Sequence, residues 1–290
     1  VAQTNRALVV AIDEYPSGSG WARIHATNDL QLILPVLTTH GYQPENTVVL
    51  TNEKATKHAI VRELKRLSDQ TQRGDCVYIH FSCHGQQMID DNGDEPDGLD
   101  EALIPYDARR RFTAGQYEGE NHLRDDEFGE YLERIRLKAG SAGNLLVVLD
   151  ACHSGTADRE TSERYVRGTT YIFAPDNYVL PEPDPEKIQY DLKESKRLSP
   201  VTVISACKPE ELNYEYKDPS TGVYYGSLSY AFCRLMEEET RGFTHKELFS
   251  KLENRMQQMF SGRRRKQTPF CETTHEANIF RISGSSDERQ

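Results

Sequence analysis

An α/β fold on a mostly parallel central sheet is predicted by three features of this 290-residue sequence. Short apolar runs recur along the chain, stretches with helical spacing separate most of them, and two runs stop abruptly at reactive and small polar residues. Strands alternating with helices require crossover connections, and these lay the strands parallel.

The elements follow in order. Residues 7–12 form a continuous apolar run closed by Asp13, as a buried first strand requires. Leu30, Ile33, Leu34 and Leu37 then share one face of a helix over 28–37. A second strand is read at 47–50, and a helix at 57–67 with Ile60, Leu64 and Leu67 inward. Residues 76–82 form the third strand, 125–137 a helix carrying Phe128, Leu132 and Ile135, and 145–150 the fourth strand. A fifth strand is expected at 201–206, helices near 227–236 and 244–259, and a last strand at 278–282. The connection 156–199 holds Pro175, Pro181, Pro183, Pro185 and many charges, a composition that predicts an exposed loop open to nicking. No internal repeat is visible. One domain is expected over 1–290: a larger part (1–155), the polar connection (156–199), a smaller part (200–283) and a disordered tail (284–290).

Composition narrows the function. A net charge of −11 argues against sequence-independent nucleic-acid binding, which needs cationic phosphate contacts. No apolar run approaches the ~18 residues of a membrane span, so no membrane partner is expected. Six dispersed cysteines without zinc spacing fit a reducing compartment better than a disulfide framework, and a cytoplasmic location is expected. The chain starts Val1-Ala2-Gln3-Thr4, so trimming is expected, and a secreted or periplasmic location with a lost signal peptide stays open.

The two reactive run ends are Ser82-Cys83-His84-Gly85 and Asp150-Ala151-Cys152-His153-Ser154-Gly155. A thiol with a pKa near ~8.5 is mostly protonated at neutral pH. A neighbouring imidazole remedies this as general base. Cys152 is the candidate nucleophile and His84, just past a strand end, its partner. His80 in mid-strand reads as core, and His153 points elsewhere because it follows Cys152 directly. Cys83, like Cys76, Cys207 and Cys233, reads as packing. A buried inert thiol is the plainer alternative for Cys152.

At these residues the chain resembles the caspase-like cysteine peptidases of the metacaspase and orthocaspase branch. Their signatures are Ser-Gly-His-Gly, matched here except for Cys83, and Asp-x-Cys-x-Ser-Gly, matched in full. The resemblance extends through the strand at Val201 to the helix start at Tyr225-Gly226-Ser227. It implies a caspase-like fold with helices on both faces of the sheet, Cys152 and His84 as catalytic dyad, and the N–H groups of Gly85 and Cys152 as oxyanion donors. One such donor can be worth ~10²–10³ in rate. It also implies that Asp29, Ser82 and Asp150 line the primary specificity pocket. The plainer reading of Asp29 is a helix-terminus charge.

Two carboxylates in a confined pocket favour a guanidinium or ammonium, and no Arg or Lys flanks either motif to suit an aspartate instead. Polypeptides with Arg or Lys before the cut bond are therefore the expected substrates. Self-cleavage at Arg159, Arg164, Arg167, Lys193, Lys196 or Arg197 is a further expectation, and the protein is expected to be a monomer. Residues 90–101 mimic an EF-hand loop, but Glu95 stands where the sharp turn needs glycine. The resemblance places an activating calcium at Asp100, Asp125, Asp126 and Asp158 instead; a solvated acidic loop and helix capping are the alternatives. No organic cofactor is implied. The competing functions are a non-catalytic caspase-like interaction domain, an acidic calcium-binding module, and an Asp-specific or clostripain-like peptidase.

Overall fold

The structure is a computed structural model that describes residues 3–152, 165–182, 195–208, 211–238, 243–261 and 267–274. The first half runs β1 (Asn5–Ala11), α1 (Leu30–Thr39), β2 (Thr47–Thr51), α2 (Lys57–Gln70), β3 (Cys76–Ser82), β4 (Gly85–Ile89), β5 (Leu99–Leu103) and β6 (Leu123–Arg124). Then come α3 (Asp125–Ala139), β7 (Asn144–Asp150), β8 (Val201–Ser205), β9 (Glu215–Lys217), β10 (Tyr224–Gly226), α4 (Ser227–Glu238), α5 (His245–Met259) and β11 (Phe270–Thr273).

Among the described residues, six strands form the central sheet in the order β11-β8-β7-β3-β1-β2. All neighbours are parallel except β11, which runs antiparallel beside β8. Alternate residues feed opposite cores, as the two-residue strand period demands. Ala7, Val9, Tyr78, Leu146 and Val148 pack with residues of α1, α4 and α5. Leu8, Val10, Ile79, Leu145 and Val147 pack with residues of α2 and α3. Helices thus cover both faces, which is why these strands read as unbroken apolar runs. Thr56 caps α2 by accepting from the Ala59 N–H, and Thr244 with Glu247 forms a capping box on α5.

The sheet order also locates the site. β2 lies on one side of β1 and β3 on the other, so the winding reverses at the carboxyl ends of β1 and β3. Crevices form at such switch points. β7 is the next strand along.

Two small sheets were not expected. β4, β5 and β6 form an antiparallel sheet that starts directly after His84, and β9 with β10 forms a hairpin. β4 gave no apolar signal because its sequence is Gly85-Gln86-Gln87-Met88-Ile89, with both glutamines buried. The EF-hand mimic is the turn of the β4–β5 hairpin, not a helix–loop–helix. The strand expected at 278–282 and the tail at 284–290 lie outside the described residues; the described edge strand is β11.

One expectation is corrected. The connection 156–199 was read as exposed, yet Val166, Arg167, Thr169 and Phe173 within it are almost fully buried. Its prolines and charges favour a loop but do not decide whether the rest of the molecule offers a groove for it. Among its described residues, 175–182 and 195–197 are exposed, Val179 to 84 %.

Candidate active site

Register builds the site. Ser82 of β3 pairs with Asp150 of β7, and Ala11 of β1 pairs with Ser82. Parallel strands keep equal offsets side by side, about 4.8 Å apart. His84 and Cys152, each two residues beyond the Ser82–Asp150 pair, therefore leave the sheet together. Cys83, between Ser82 and His84, is buried, avoids the left-handed region, and has its thiol pushed up to about 12 by burial. The departure from the glycine of the family signature is accommodated without backbone strain.

His84 is fixed in one tautomer. Its Nε2 lies 2.8 Å from the Ala22 carbonyl oxygen, which can only accept, so Nε2 carries the hydrogen. Among the described residues Nδ1 has no hydrogen-bond partner and is left as a buried lone pair. The ring stacks on Trp21 at 4.9 Å and packs beside Tyr15, and burial lowers its pKa to about 4. At neutral pH it is an uncharged base. His80 is core, as expected, between the Tyr78 hydroxyl at 2.7 Å and the Ser229 hydroxyl at 3.0 Å.

Cys152 is fully buried, and its thiol donates to the Glu211 carbonyl oxygen at 3.3 Å. What seals it is the chain itself. Val166 packs on Cys152 together with Cys207, Leu212, Tyr214 and Phe260. Gly168 lies so close that an added Cβ would sit 2.8 Å from the Cys152 Cβ. The Arg167 carbonyl oxygen accepts from the N–H of Cys152 at 2.8 Å and of Gly85 at 3.3 Å.

Residues 165–173 form a strap through the cleft. On one side they run antiparallel to residues 213–215: Val166 bridges Tyr214, Arg167 N–H donates to the Asn213 carbonyl at 2.9 Å, and Glu215 N–H donates to the Tyr165 carbonyl at 2.8 Å. Beyond Arg167 the strap follows β4. Gln86 Nε2 donates to the Tyr171 carbonyl at 2.8 Å, Phe173 N–H to the Gln87 carbonyl at 2.8 Å, and the Phe173 ring packs with Met88, Ala102 and Tyr117.

The Arg167 side chain fills the pocket expected from Asp29, Ser82 and Asp150, and its guanidinium is fully buried. Nη1 meets Asp29 at 2.8 Å, Asp150 at 3.7 Å and the Ser82 hydroxyl. Nη2 meets a third carboxylate, Glu215, at 3.2 Å. The absence of a cation beside the motifs in sequence therefore did not mean an absence in space. Asp29 is no simple helix-end charge: it makes no cap hydrogen bond, and its carboxylate accepts from Ser82, Arg167 and the Gly226 N–H. Burial raises its pKa, while Arg167 pulls the other way. Burial also opposes ionisation of Asp150, but Arg167 and hydrogen bonds from Ser229 and Asn213 hold its pKa net low. Glu215 is held low against burial by His25 and Arg167. Gly226 completes the wall, since a Cβ there would stand 2.7 Å from the guanidinium carbon.

The acidic cluster lies on the β4–β5 hairpin and the start of α3. Donor oxygens of Asp90, Asp94 and Asp100 lie within 4.8 Å of one another. Among the described residues this grouping joins Asp100 to Asp90 and Asp94 rather than to Asp125 and Asp126. Those two stand nearby, with Asn92 Nδ2 donating to Asp126 at 2.6 Å. Asp158, Arg159, Arg164 and Lys193 lie outside the described residues. Burial and like charges raise Asp100 and Glu95 to about 7, and they raise Asp126 as well. Arg124 pairs with Asp100 and Asp91. Hard oxygen donors under mutual repulsion suit a hard cation such as calcium.

Glu215, Gly226 and the strap were not singled out as site elements in the sequence. Gly226 stood inside the resembling Tyr225-Gly226-Ser227 segment, which was a usable signal. Glu215, in a three-residue strand, had none.

Residues 4–280 match the caspase domain family. The chain is 38 % identical over 124 residues to Metacaspase-1B of Aspergillus oryzae, covering 41 % of this chain and 27 % of that protein. Against Metacaspase-2 of Arabidopsis thaliana it is 28 % identical over 240 residues, covering 80 % and 52 %. It thus spans about a quarter to about half the length of these curated relatives. The fold is similar to protein GSU0716 from Geobacter sulfurreducens, with TM-score 0.64, 20 % identity and 93 % of each chain covered. Caspase-1 from Spodoptera frugiperda gives 0.61 at 12 % identity, over 98 % of this chain and 92 % of that one. With two helix-covered sheet faces, a histidine and a cysteine just past the carboxyl ends of neighbouring strands, and a family match over almost its full length, this chain belongs to the caspase domain family, with metacaspases among its relatives.

Proposed function

We propose that the protein is a cysteine endopeptidase that cuts after Arg, and less readily after Lys, and that its first substrate is its own Arg167–Gly168 bond. One observation carries this reading. Arg167 lies with its guanidinium among Asp29, Asp150 and Glu215, while its carbonyl oxygen takes the N–H groups of Cys152 and Gly85. A purely structural arginine needs the first arrangement but not the second.

The chemistry follows from the fixed tautomer. Cys152 turns from Glu211, gives its thiol proton to Nδ1 of His84, and attacks the Arg167 carbonyl carbon. The oxyanion is held by the two N–H groups. His84 returns the proton to the Gly168 nitrogen, which departs as an amine. Water then hydrolyses the acyl-enzyme, with His84 as base. The planar guanidinium meets carboxylates from more than one direction, which a point-charge ammonium matches less well. Lys196 and Arg197 are weaker self-cleavage candidates. They precede the amino end of β8, whereas Cys152 follows the carboxyl end of its parallel neighbour β7.

Hydrolysis of paired Arg, Lys and Asp quenched peptides, with and without calcium, tests the specificity; equal rates on Asp peptides sink it. Fragmentation of a Cys152→Ala protein at Arg167 would remove self-processing. Failure of an Arg chloromethylketone to label Cys152 would favour a non-catalytic interaction domain.

Calcium is the proposed activating ion. Asp90, Asp94 and Asp100, with Asp125 and Asp126 beside them, would hold it, and it would neutralise their repulsion and order the β4–β5 hairpin. Calorimetry should show a calcium-dependent rise in Tm that Asp126→Ala diminishes; no shift in the wild type refutes the site.

A further inference from the structure

Recognition need not stop at the arginine, because the strap presents two more side chains to built surfaces. Tyr165, two residues before Arg167, stacks on Tyr224 with centroids 4.7 Å apart and planes 5° apart. His25 lies near-parallel beside both rings, 5.1 Å from Tyr224 and 6.2 Å from Tyr165. Val166 between them enters an apolar cup of Leu212, Tyr214, Cys207 and Phe260.

The platform is tied to the arginine pocket through one residue. Glu215 accepts from the His25 backbone N–H at 2.7 Å and meets His25 Nδ1 at 2.6 Å. The same carboxylate meets Arg167 Nη2 at 3.2 Å, and the Glu215 N–H donates to the Tyr165 carbonyl. The Glu215 hydrogen bond holds His25 toward its charged form, which strengthens its face-on contact with the tyrosines.

Resting on the Arg-specific reading above, we propose that the cleft selects a three-residue signature, aromatic–aliphatic–Arg, in which the Tyr224–His25 stack receives the aromatic side chain and Glu215 is the positioning residue that couples that stack to the arginine pocket. Tyr165 itself sits at φ 73°, a left-handed conformation that costs a non-glycine residue. An external peptide in ordinary extended conformation places the same ring without that strain.

Two quenched peptides decide the matter, Tyr-Val-Arg-Gly and Gly-Gly-Arg-Gly. Stacking and apolar burial should give the first about a tenfold higher kcat/KM. Tyr224→Ala should lower that ratio to the part that the valine alone supplies, and Tyr224→Phe should restore it. Glu215→Gln should lower both the ratio and the Arg-over-Lys preference, which a merely structural role would not link. Equal rates in the wild-type protein, or a ratio unchanged by Tyr224→Ala, overturn the inference. If neither peptide is cut, the peptidase reading fails, and binding of the same peptides to a Cys152→Ala, Arg167→Ala protein judges the signature alone: about tenfold tighter binding of the Tyr-Val-Arg peptide supports it, equal binding refutes it.

Discussion

The backbone N–H of Cys152 points at the carbonyl oxygen of Arg167, 2.8 Å away. That contact turns a buried ion cluster into something resembling a bound substrate.

Arg167→Ala in a Cys152→Ala background should unfold at lower temperature than Cys152→Ala alone. Removing one member of a buried charge group costs about 3–5 kcal/mol because its partners stay behind uncompensated. Arginine amide should recover part of the loss in the double variant, by mass action, and leave the parent unmoved. Thermal denaturation with and without the amide checks both; no rescue would mean that the pocket does not exchange its cation.

Gly168→Val tests the close approach. A Cβ there would meet the Cys152 backbone oxygen and Cβ, so the strap cannot seat. Intact mass should show cutting after Arg167 slowed about 100-fold, and hydrogen exchange should show the amides of residues 165–167 losing protection. Unchanged protection sinks the steric argument.

Gly226→Ala should place a methyl group against the Asp150 carboxylate and 2.7 Å from the guanidinium carbon. The expected result is a loss of about 100-fold in kcat/KM on Arg peptides, most of it in KM, because the pocket binds the side chain rather than the reacting atoms. A loss confined to kcat would contradict this assignment.

His84 should make stability depend on pH with a definite sign. Its folded pKa of about 4 lies below its ordinary 6.5, so the unfolded chain binds more protons in between. Its contribution is complete above about pH 6.5 and drains away as the pH falls toward 4, by roughly 3 kcal/mol for the full shift. Urea unfolding of the Cys152→Ala protein should therefore lose more stability between pH 7 and 4.5 than the same protein with His84→Asn. Parallel curves would contradict the burial argument.

How much of this was legible in the sequence depends on distance along the chain. The strand ends were, because each apolar run and its reactive terminus are one local signal, and parallel pairing then places Ser82 beside Asp150 and His84 near Cys152. Asp29 came from the family resemblance, and the structure shows what its carboxylate binds. Arg167 was one basic residue among seven in a polar stretch. Its partner Asp29 is 138 residues away, and no local rule relates the two. Glu215 escaped because a three-residue strand has no periodicity to read. The acidic segment at 90–101 signalled its charge, but its hairpin form depends on pairing β4 with β5.

The shared register of β3 and β7 also constrains how such a protein can vary. One residue inserted between Asp150 and Cys152 would slide the sulfur by about 3.3 Å and flip it to the opposite face of the sheet, beyond reach of an imidazole that had not moved. Only a matching insertion before His84 would restore the alignment. The two reactive tips are therefore gauged against each other like teeth on meshed racks, and length changes are tolerable in the connecting loops but not in the last steps before the chemistry.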